Sequence, residues 1–361
     1  MMTSRERFLR TMRFQRPDVP YVKAVSRWQE TCDRWRREGW DGRPLEEVFG
    51  TDRMLGVGVY YGPVPRFEYR VLEEDERTKV YVNHEGIVMR EFKGYGSSSM
   101  PQFLRFPVED EADFDRLCRE RLGLRFEERV PPDWQRRVEG WRSRTDPLMC
   151  FADRWGGFFG PLRNLMGLEG LSFAFYDQPK LIERMMDQRA GAIIEITGKI
   201  LEYTDIDAFA FWEDMAYKTG PLLGPDMFRR FMLPRYREVC DWLRGRGVEL
   251  IFVDSDGNIN ELIPLWLEAG VNGIWPLEVA AGMDVCELRR TYGRDLLMIG
   301  GIDKRAVAAG GEVMRREVDR VMPVVEGGGY IPELDHGAPP DISWKNMCEY
   351  MEYLLFRLGR G

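Results

Sequence analysis

The chain contains little histidine and no closely spaced cysteine pair. Its 361 residues include two histidines, His84 and His336, and six cysteines that stand far apart. Because no CxxC pair occurs, the sequence indicates neither a disulfide framework nor a thiolate zinc knuckle. Any imidazole chemistry has to use one of the two histidines. His84 lies in a predicted hairpin turn, Asn83-His84-Glu85-Gly86, and this position is more typical of an exposed turn residue than of a ligand.

Long apolar runs and an excess of positive charge are also missing. No uninterrupted apolar stretch reaches the roughly 18 residues of a membrane span, and no signal peptide is recognisable, so we expect a cytoplasmic protein without membrane association. The net charge is -8, with acids and bases mixed along the chain. Because non-specific nucleic-acid binding needs a basic field, a nucleic-acid partner is not expected.

Strands and helices are predicted to alternate regularly from residue 148 onward. Strand patterns occur at 148–152, 208–212, 250–253, 273–275, 296–299 and 330–331. Helical patterns occur at 178–203, 225–246, 259–269, 283–292 and 311–325, and a final helix is predicted at 343–358. This alternation indicates a parallel sheet with βα loops. With 44% hydrophobic residues, the chain is long enough for an α/β (β/α)₈ TIM barrel.

The N-terminal part is predicted to add helices and a small antiparallel insertion to that barrel. Helices are expected at 3–14 and 28–38, with a short strand at 22–25 between them. Three β-rich segments within 67–92 predict an antiparallel three-stranded insertion. No repeat or Gly/Ser linker interrupts the alternation, so residues 1–361 are predicted to form a single domain.

Polar side chains cluster where the predicted strands end. They are Asp153, Arg154, Glu213, Asp214, Asp254, Asp256, Glu278, Asp303, Glu333, Asp335 and His336. In a barrel the carboxyl ends of the strands share one face, which is the catalytic face. Helix capping explains Asp153 and Asp303 at least as well. One cap needs only one acid, however, so the pair Asp254 and Asp256 favours a functional site.

Several segments resemble a known superfamily. They are EDMAYKTG (213–220), PDMFRRF (225–231), AGVNGIWPLE (269–278), MDV (283–285), IGGID (299–303) and DHGAPPD (335–341). In combination they resemble the uroporphyrinogen decarboxylase superfamily, which includes corrinoid methyltransferases. The resemblance runs almost end to end, is strongest from 205 to 345, and implies a (β/α)₈ barrel that is a monomer or a homodimer.

The methyltransferase branch of this superfamily binds zinc through His-Ser-Cys-Gly-Asn and a later cysteine. This chain has Asp254-Ser255-Asp256-Gly257-Asn258 in the first place and His336 in the second. The resemblance therefore implies a metal site formed by Asp254, Asp256 and His336, joined by Glu333 or Glu213. Carboxylate and imidazole donors are harder than thiolates and suit Fe(II), Mn(II) or Zn(II).

The decarboxylase branch keeps Gly-His-Gly where this chain has Asp335-His336-Gly337. It also carries an Arg-Gln-Ala-Gly-Arg run near the N-terminus, which holds substrate carboxylates. That run is absent here, and Lys23 and Arg27 stand near its place. An octa-acid tetrapyrrole substrate is therefore not expected.

The first functional hypothesis is metal-dependent methyl transfer from or to a small O- or S-methyl compound, with Asp254, Asp256, His336 and Glu213 as catalytic residues. The predicted substrate-binding residues are Arg154, Trp155, Phe159, Tyr217, Asn258, Trp275 and Glu278. The sequence lacks the Asp-x-His-x-x-Gly segment of a cobalamin-binding domain, so a partner protein is expected to supply the corrinoid.

Two alternatives remain open. Crowded carboxylates raise one another's pKa, which would suit a metal-free decarboxylase of a porphyrinogen-like or other small carboxylic acid, with Arg154 and Arg163 as carboxylate clamps. The second alternative is a non-catalytic protein that binds a tetrapyrrole.

Overall fold

The computed structural model describes residues 1–93 and 100–360. In chain order the strands are β1 (Leu55–Gly56), β2 (Arg70–Glu74), β3 (Thr78–Val82), β4 (Val88–Phe92), β5 (Gln102–Arg105), β6 (Leu148–Phe151), β7 (Ala208–Trp212), β8 (Ala216–Tyr217), β9 (Gly220–Pro221), β10 (Ile251–Asp254), β11 (Gly273–Trp275), β12 (Leu297–Ile299) and β13 (Tyr330–Ile331).

The helices are α1 (Ser4–Met12), α2 (Gln29–Arg37), α3 (Leu45–Phe49), α4 (Glu111–Arg121), α5 (Trp134–Trp141), α6 (Phe159–Asp177), α7 (Pro179–Leu201), α8 (Pro225–Met227), α9 (Leu233–Arg244), α10 (Ile263–Ala269), α11 (Val285–Tyr292), α12 (Lys304–Ala309), α13 (Gly311–Gly327) and α14 (Trp344–Arg357). A π-helical turn, Phe228–Met232, joins α8 to α9.

A curled parallel sheet forms the centre of the fold. Its seven strands follow the order β1-β6-β7-β10-β11-β12-β13, and every neighbouring pair is parallel. The segment 22–27 lies along the seam between the two edge strands. Lys23 bridges to Asp52 just before β1, and Arg27 bridges to Ala338 beyond β13. The predicted TIM-barrel class is thereby confirmed, and all six strands predicted from residue 148 onward are present.

Two hydrophobic clusters stabilise this architecture. The larger one fills the space between the sheet and the surrounding helices. The smaller one lines the barrel interior and includes Phe8 and Met12 of α1. A capping box stabilises the N-terminus of α1, where Thr3 and Glu6 each accept a hydrogen bond from the other's backbone N–H through their side chains. The Gly329 N–H, just before β13, donates to the Thr11 carbonyl at 2.7 Å, so α1 covers the amino ends of the strands.

The antiparallel insertion is a separate sheet of order β2-β3-β4-β5. Its first three strands fall within the predicted region, and the structure adds β5 as a fourth. In the described ranges, no helix has both the length and the apolar composition that crossing a bilayer would require.

Candidate functional site

Three aspartates meet at the carboxyl end of the central strands. One carboxylate oxygen from each of Asp214, Asp254 and Asp256 lies within 4.8 Å of the other two. Asp254 is the last residue of β10, and its ladder partners are Trp212 of β7 and Trp275 of β11. These three residues therefore share one level at the barrel mouth, and the other two aspartates lie in the turns just above it.

Backbone contacts hold the turn after β10 from both sides. The Asp256 N–H lies 3.3 Å from Asp214 Oδ1, and the Gly257 N–H donates to Glu278 Oε2 at 3.0 Å. Gly257 has φ +85°, and a Cβ there would lie 2.4 Å from the Ala216 carbonyl oxygen. Only glycine fits that combination of left-handed backbone and close approach. The turn that carries Asp256 is therefore fixed against the β8–β9 hairpin.

His336 completes the group from the loop after β13. Its Nε2 lies 3.4 Å from Asp256 Oδ2. The ring also meets Trp28 edge to face, with the centroids 6.2 Å apart. The preceding residue, Asp335, is fully buried and accepts hydrogen bonds from the backbone N–H groups of Val279 and Lys304. His336 is therefore attached to a rigid loop.

The electrostatics of this group favour an added positive charge. Burial, followed by repulsion from Asp214 and Asp256, raises the pKa of Asp254 well above its ordinary value. Burial and the charge of Asp256 likewise raise the pKa of Asp214. The hydrogen bond with Asp256 raises the pKa of His336. Either protons or a cation would relieve the repulsion among the three carboxylates.

The group opens into a cavity of about 380 Å³ at the barrel mouth. Its lining residues are Ser26, Arg27, Trp28, Trp212, Asp214, Asp254, Asp256, Trp275, Pro276, Glu333, Leu334, His336 and Gly337. Five residues predicted for the site, namely Asp254, Asp256, Trp275, Glu333 and His336, are therefore brought together. Among the described lining residues, Arg27 is the single Lys or Arg, against four acids.

Glu333 lies in this cavity but outside the three-carboxylate cluster. Its Oε2 is 3.0 Å from Lys23 Nζ, and the side chain is 4% exposed. The third carboxylate of the cluster is Asp214, whereas Glu333 or Glu213 was predicted to join Asp254 and Asp256. Trp212, Trp28, Ser26 and Arg27 are further lining residues without a predicted role.

Glu213 points away from the cavity. It is fully buried, and its two carboxylate oxygens accept hydrogen bonds from the N–H groups of Phe158 at 2.8 Å and Gly160 at 2.9 Å, and from the Tyr236 hydroxyl. Burial raises the pKa of Glu213 to about 7, against the effect of these hydrogen bonds. This carboxyl fastens the start of α6 to the back of the sheet.

The other predicted substrate-binding residues lie around the cavity rather than on its wall. Trp155 and Phe159 are buried in the outer core. The Arg154 guanidinium lies 5.3 Å from the ring centroid of Trp212. The Asn258 N–H donates to the carbonyl of Tyr217, whose side chain is exposed. Glu278, besides binding Gly257, lies 3.3 Å from Lys304 Nζ, so it positions the turn that carries Asp256.

In the structure, the alternation of side chains along β7 separates Asp214 from Glu213. Ala208 and Ala210 belong to the interior cluster, and Phe209 and Phe211 belong to the outer one. Successive side chains point to opposite faces of a strand, so Trp212 continues the inward set and Glu213 the outward set. Asp214, with φ +46°, then turns its side chain back toward the mouth.

Comparison with known proteins identifies the family. A family model for uroporphyrinogen decarboxylase matches residues 156–354, which is more than half of the chain. The chain belongs to the uroporphyrinogen decarboxylase family. The predicted superfamily resemblance is thereby confirmed.

Individual relatives in the uroporphyrinogen decarboxylase family are distant. A uroporphyrinogen decarboxylase of Neisseria gonorrhoeae is 24% identical over 303 residues, which cover 81% of this chain and 72% of that protein. The one from Neisseria meningitidis is 27% identical over the same length and coverage. The match to the Pseudomonas entomophila protein, 27% identical over 182 residues, spans 46% of each chain.

Among solved structures, a methyltransferase from Methanosarcina mazei superimposes with a TM-score of 0.63 and covers 99% of both chains. Its sequence identity to this chain is 13%, so the likeness shows the shared fold.

Proposed function

We propose that this protein is a divalent-metal-dependent methyltransferase that acts on a small O- or S-methyl compound, with the corrinoid carried by a partner protein. The observation that carries the proposal is the donor set at the barrel mouth. It combines three carboxylates within 4.8 Å of one another with an imidazole nitrogen 3.4 Å from one of them.

This donor set fits a divalent cation. Metal–oxygen and metal–nitrogen bonds of about 2.0–2.4 Å place two ligands of one ion no more than roughly 4–5 Å apart. Asp214, Asp254 and Asp256 meet that limit, and His336 is close enough to join them. Oxygen and imidazole donors suit Fe(II), Mn(II) or Zn(II). A bound cation would supply Lewis acidity toward the oxygen or sulfur of the substrate.

The residues around the cluster prepare it for that role. Burial and mutual repulsion raise the pKa values of Asp214 and Asp254, so replacing their protons by a cation relieves repulsion. His336 orients Asp256 through their contact. Trp212 and Trp275 flank Asp254 in the sheet and line the same cavity, so they place aromatic surface next to the cluster.

The charge of the cavity argues against a polyanionic porphyrinogen. Arg27 is the single Lys or Arg on the described wall, so a substrate with eight carboxylates would find one cationic partner there. A small, weakly charged methyl compound needs no such partners. This difference supports methyl transfer over decarboxylation of uroporphyrinogen itself, although the named relatives are uroporphyrinogen decarboxylases.

Decarboxylation of a smaller acid is the second candidate, and one observation favours it. The pKa of Asp254 is raised by burial and by its two neighbours, which suits a general acid next to the carboxylate of Asp256. Arg27 is available in the same cavity to receive a substrate carboxylate.

Elemental analysis combined with two activity assays separates these candidates. Purified protein is incubated with Fe(II), Mn(II) or Zn(II), freed of excess metal and assayed for methylation of added cob(I)alamin by small methyl ethers and thioethers. We expect about one bound equivalent of metal, lost in Asp256→Ala and His336→Ala. Asp303→Asn, which changes a helix-capping acid outside the cavity, serves as the matched control and keeps the metal.

Metal-free protein that releases CO₂ from a small carboxylic acid would instead establish the decarboxylase alternative. Protein that binds neither metal nor methyl donor, but retains tetrapyrrole binding, would support the non-catalytic alternative.

A further inference from the structure

A second cavity, of about 360 Å³, lies inside the barrel below the mouth. Its lining combines apolar side chains, among them Met54, Met149, Phe151, Trp275 and Ile299, with the charged residues Lys23, Glu46, Asp52 and Arg53. The ladders pair Phe151 with Ala210, whereas Asp254 is paired with Trp212, two residues further along β7. The cavity therefore begins one inward-facing layer beneath the three aspartates.

Gly56 leaves part of this space free of side chain. Gly56 of β1 is paired in register with Met149, whose side chain belongs to the interior cluster, so a side chain at position 56 would point inward as well. A Cβ built on Gly56 meets no atom within 4 Å. Its φ also lies outside the left-handed region, so a larger residue would be accepted without backbone strain.

The cavity also has a lateral opening along the seam of the barrel. The segment 22–27 is bridged to the β1 side at Lys23 and Asp52. Beyond that bridge, no backbone hydrogen bond within the described residues joins 24–27 to 54–57. Ala24 and Gly56 line the cavity on the two sides of this unpaired stretch. Gly56 is solvent-exposed, so the cavity is open to solvent beside this stretch and a small molecule can enter there.

Trp275 and Lys23 connect this interior cavity to the mouth. Trp275 lines both cavities and is the ladder partner of Asp254. Lys23 Nζ lies 4.8 Å from the Trp275 ring centroid and 3.0 Å from Glu333, which lines the mouth. The ion pair between Lys23 and Glu333 therefore lies between the interior cavity and the acid cluster at the mouth.

These walls suit an aromatic ring. An apolar cavity of about 150 Å³ with Leu, Ile and Phe walls is already large enough to bind benzene. The interior cavity is larger and adds methionines and two aromatic rings, which adapt to and stack on a flat ligand. The polar atoms of Lys23 and Glu333 at its upper end favour an oxygen substituent on that ring.

We propose that the interior cavity binds the ring of a small aromatic ether, which enters through the seam and directs its oxygen toward Lys23, Glu333 and the acid cluster. The inference rests on the proposed function insofar as it names the substrate class of that site. The binding of the ring, however, needs no metal.

Isothermal titration calorimetry of metal-free protein with 2-methoxyphenol tests this inference. We expect saturable binding at one site, weakened about tenfold or more in Gly56→Val, because valine suits a strand and occupies the space that the ring needs. Gly123→Val is the matched control, since Gly123 also has open space around its Cβ but lies outside the cavity. This control should bind like the wild type, and Asp256→Ala should retain binding.

A second variant, Ala24→Leu, narrows the seam from the opposite side and should also weaken binding. Wild-type protein that does not bind 2-methoxyphenol, or unchanged affinity in both Gly56→Val and Ala24→Leu, would overturn the inference. Because the titration is done without metal, binding without metal uptake would contradict the proposed function alone. Metal uptake without ring binding would contradict this inference alone.

Discussion

The imidazole Nε2 of His336 lies 3.4 Å from the carboxylate Oδ2 of Asp256, although the two residues belong to loops after different strands, β13 and β10. Asp256 is also one of the three clustered carboxylates. The protonation of His336 is thus linked to the charge of the whole cluster, and this link gives a direct spectroscopic readout of the site.

The first prediction concerns the titration of His336. The hydrogen bond with Asp256 raises the pKa of His336, so Asp256→Asn should lower it toward the ordinary value near 6.5. With two histidines in the chain, proton NMR of the imidazole Cε1–H signals resolves both, and His84→Gln assigns them. Added Zn(II) should suppress the titration of His336, because the cation competes with the proton. An unchanged His336 pKa in Asp256→Asn would contradict the proposed coupling.

The second prediction concerns how much the carboxylate cluster lowers the free energy of unfolding of the metal-free protein. The pKa of Asp254 is higher in the folded state than in the unfolded state. Stability therefore falls as pH rises above about 4, because the unfolded chain releases a proton that the folded protein keeps. Metal-free Asp254→Asn should be more stable than wild type at neutral pH, with the gain disappearing in acid. Urea titrations at several pH values measure this difference.

Asp303→Asn is the control for that measurement. Although burial opposes it, hydrogen bonds from Arg305 lower the pKa of Asp303, so its substitution should bring no gain at neutral pH. Added metal should stabilise the wild type, so that its free energy of unfolding exceeds that of Asp254→Asn. A loss of stability in metal-free Asp254→Asn would mean that the ionised carboxylate is structural.

The third prediction separates Glu213 from the metal site. In Glu213→Gln the amide NH₂ has to face the N–H of either Phe158 or Gly160, which leaves one buried donor unpaired. The cost should be about 1–3 kcal/mol in the free energy of unfolding, measured by urea titration. The metal content should stay at the wild-type level, because Glu213 does not line the cavity. Loss of metal in a well-folded Glu213→Gln protein would contradict this assignment.

The same carboxyl also predicts a pH dependence. Burial raises the pKa of Glu213 to about 7, so between about 4.5 and 7 the folded state holds a proton that the unfolded state releases. Wild-type stability should fall as pH rises through that window, and the slope should be smaller in Glu213→Gln. Equal slopes would show that Glu213 does not titrate there.

The fourth prediction concerns the turn that carries Asp256. Gly257→Ala places a Cβ 2.4 Å from the Ala216 carbonyl oxygen, at φ +85°. Gly247→Ala has the matching φ of +84° and no atom within 4 Å of its Cβ. Both variants carry backbone strain of about 1 kcal/mol, but Gly257→Ala alone should also weaken metal binding, because the turn must move. Metal titration by calorimetry distinguishes the two variants, and equal metal affinity would contradict the role given to this turn.

Much of the fold could be predicted because the central strands are short apolar runs separated by amphipathic helices. The strands at 208–212, 273–275 and 330–331 have the predicted bounds. Strand β1, Leu55–Gly56, was not predicted, since two residues with one glycine give no periodic signal. Helix α6 was not predicted either. Gly160, Pro161, Gly167 and Gly170 interrupt its pattern, and Gly167 has a non-helical φ of +74°.

Only those site residues that stand in recognisable motif positions could be predicted from the sequence. Asp254, Asp256 and His336 stand in motif positions, so the family resemblance indicated that they meet. Strand β7 is buried on both faces, and its sequence Ala-Phe-Ala-Phe-Trp therefore does not show which face is inward. Without that register, Glu213 and Asp214 are equivalent candidates. The interior cavity depends on Gly56 and on an unpaired seam, neither of which leaves a sequence pattern.

The central claim is that Asp214, Asp254, Asp256 and His336 bind one divalent cation. Anomalous diffraction from crystals equilibrated with Mn(II) or Zn(II) tests it most directly. We predict a single strong peak within about 2.0–2.4 Å of oxygens of the three aspartates and of His336 Nε2, absent in Asp256→Ala crystals. Crystals that contain the metal elsewhere, or none at all, with these side chains ordered and free of a peak, would contradict the account.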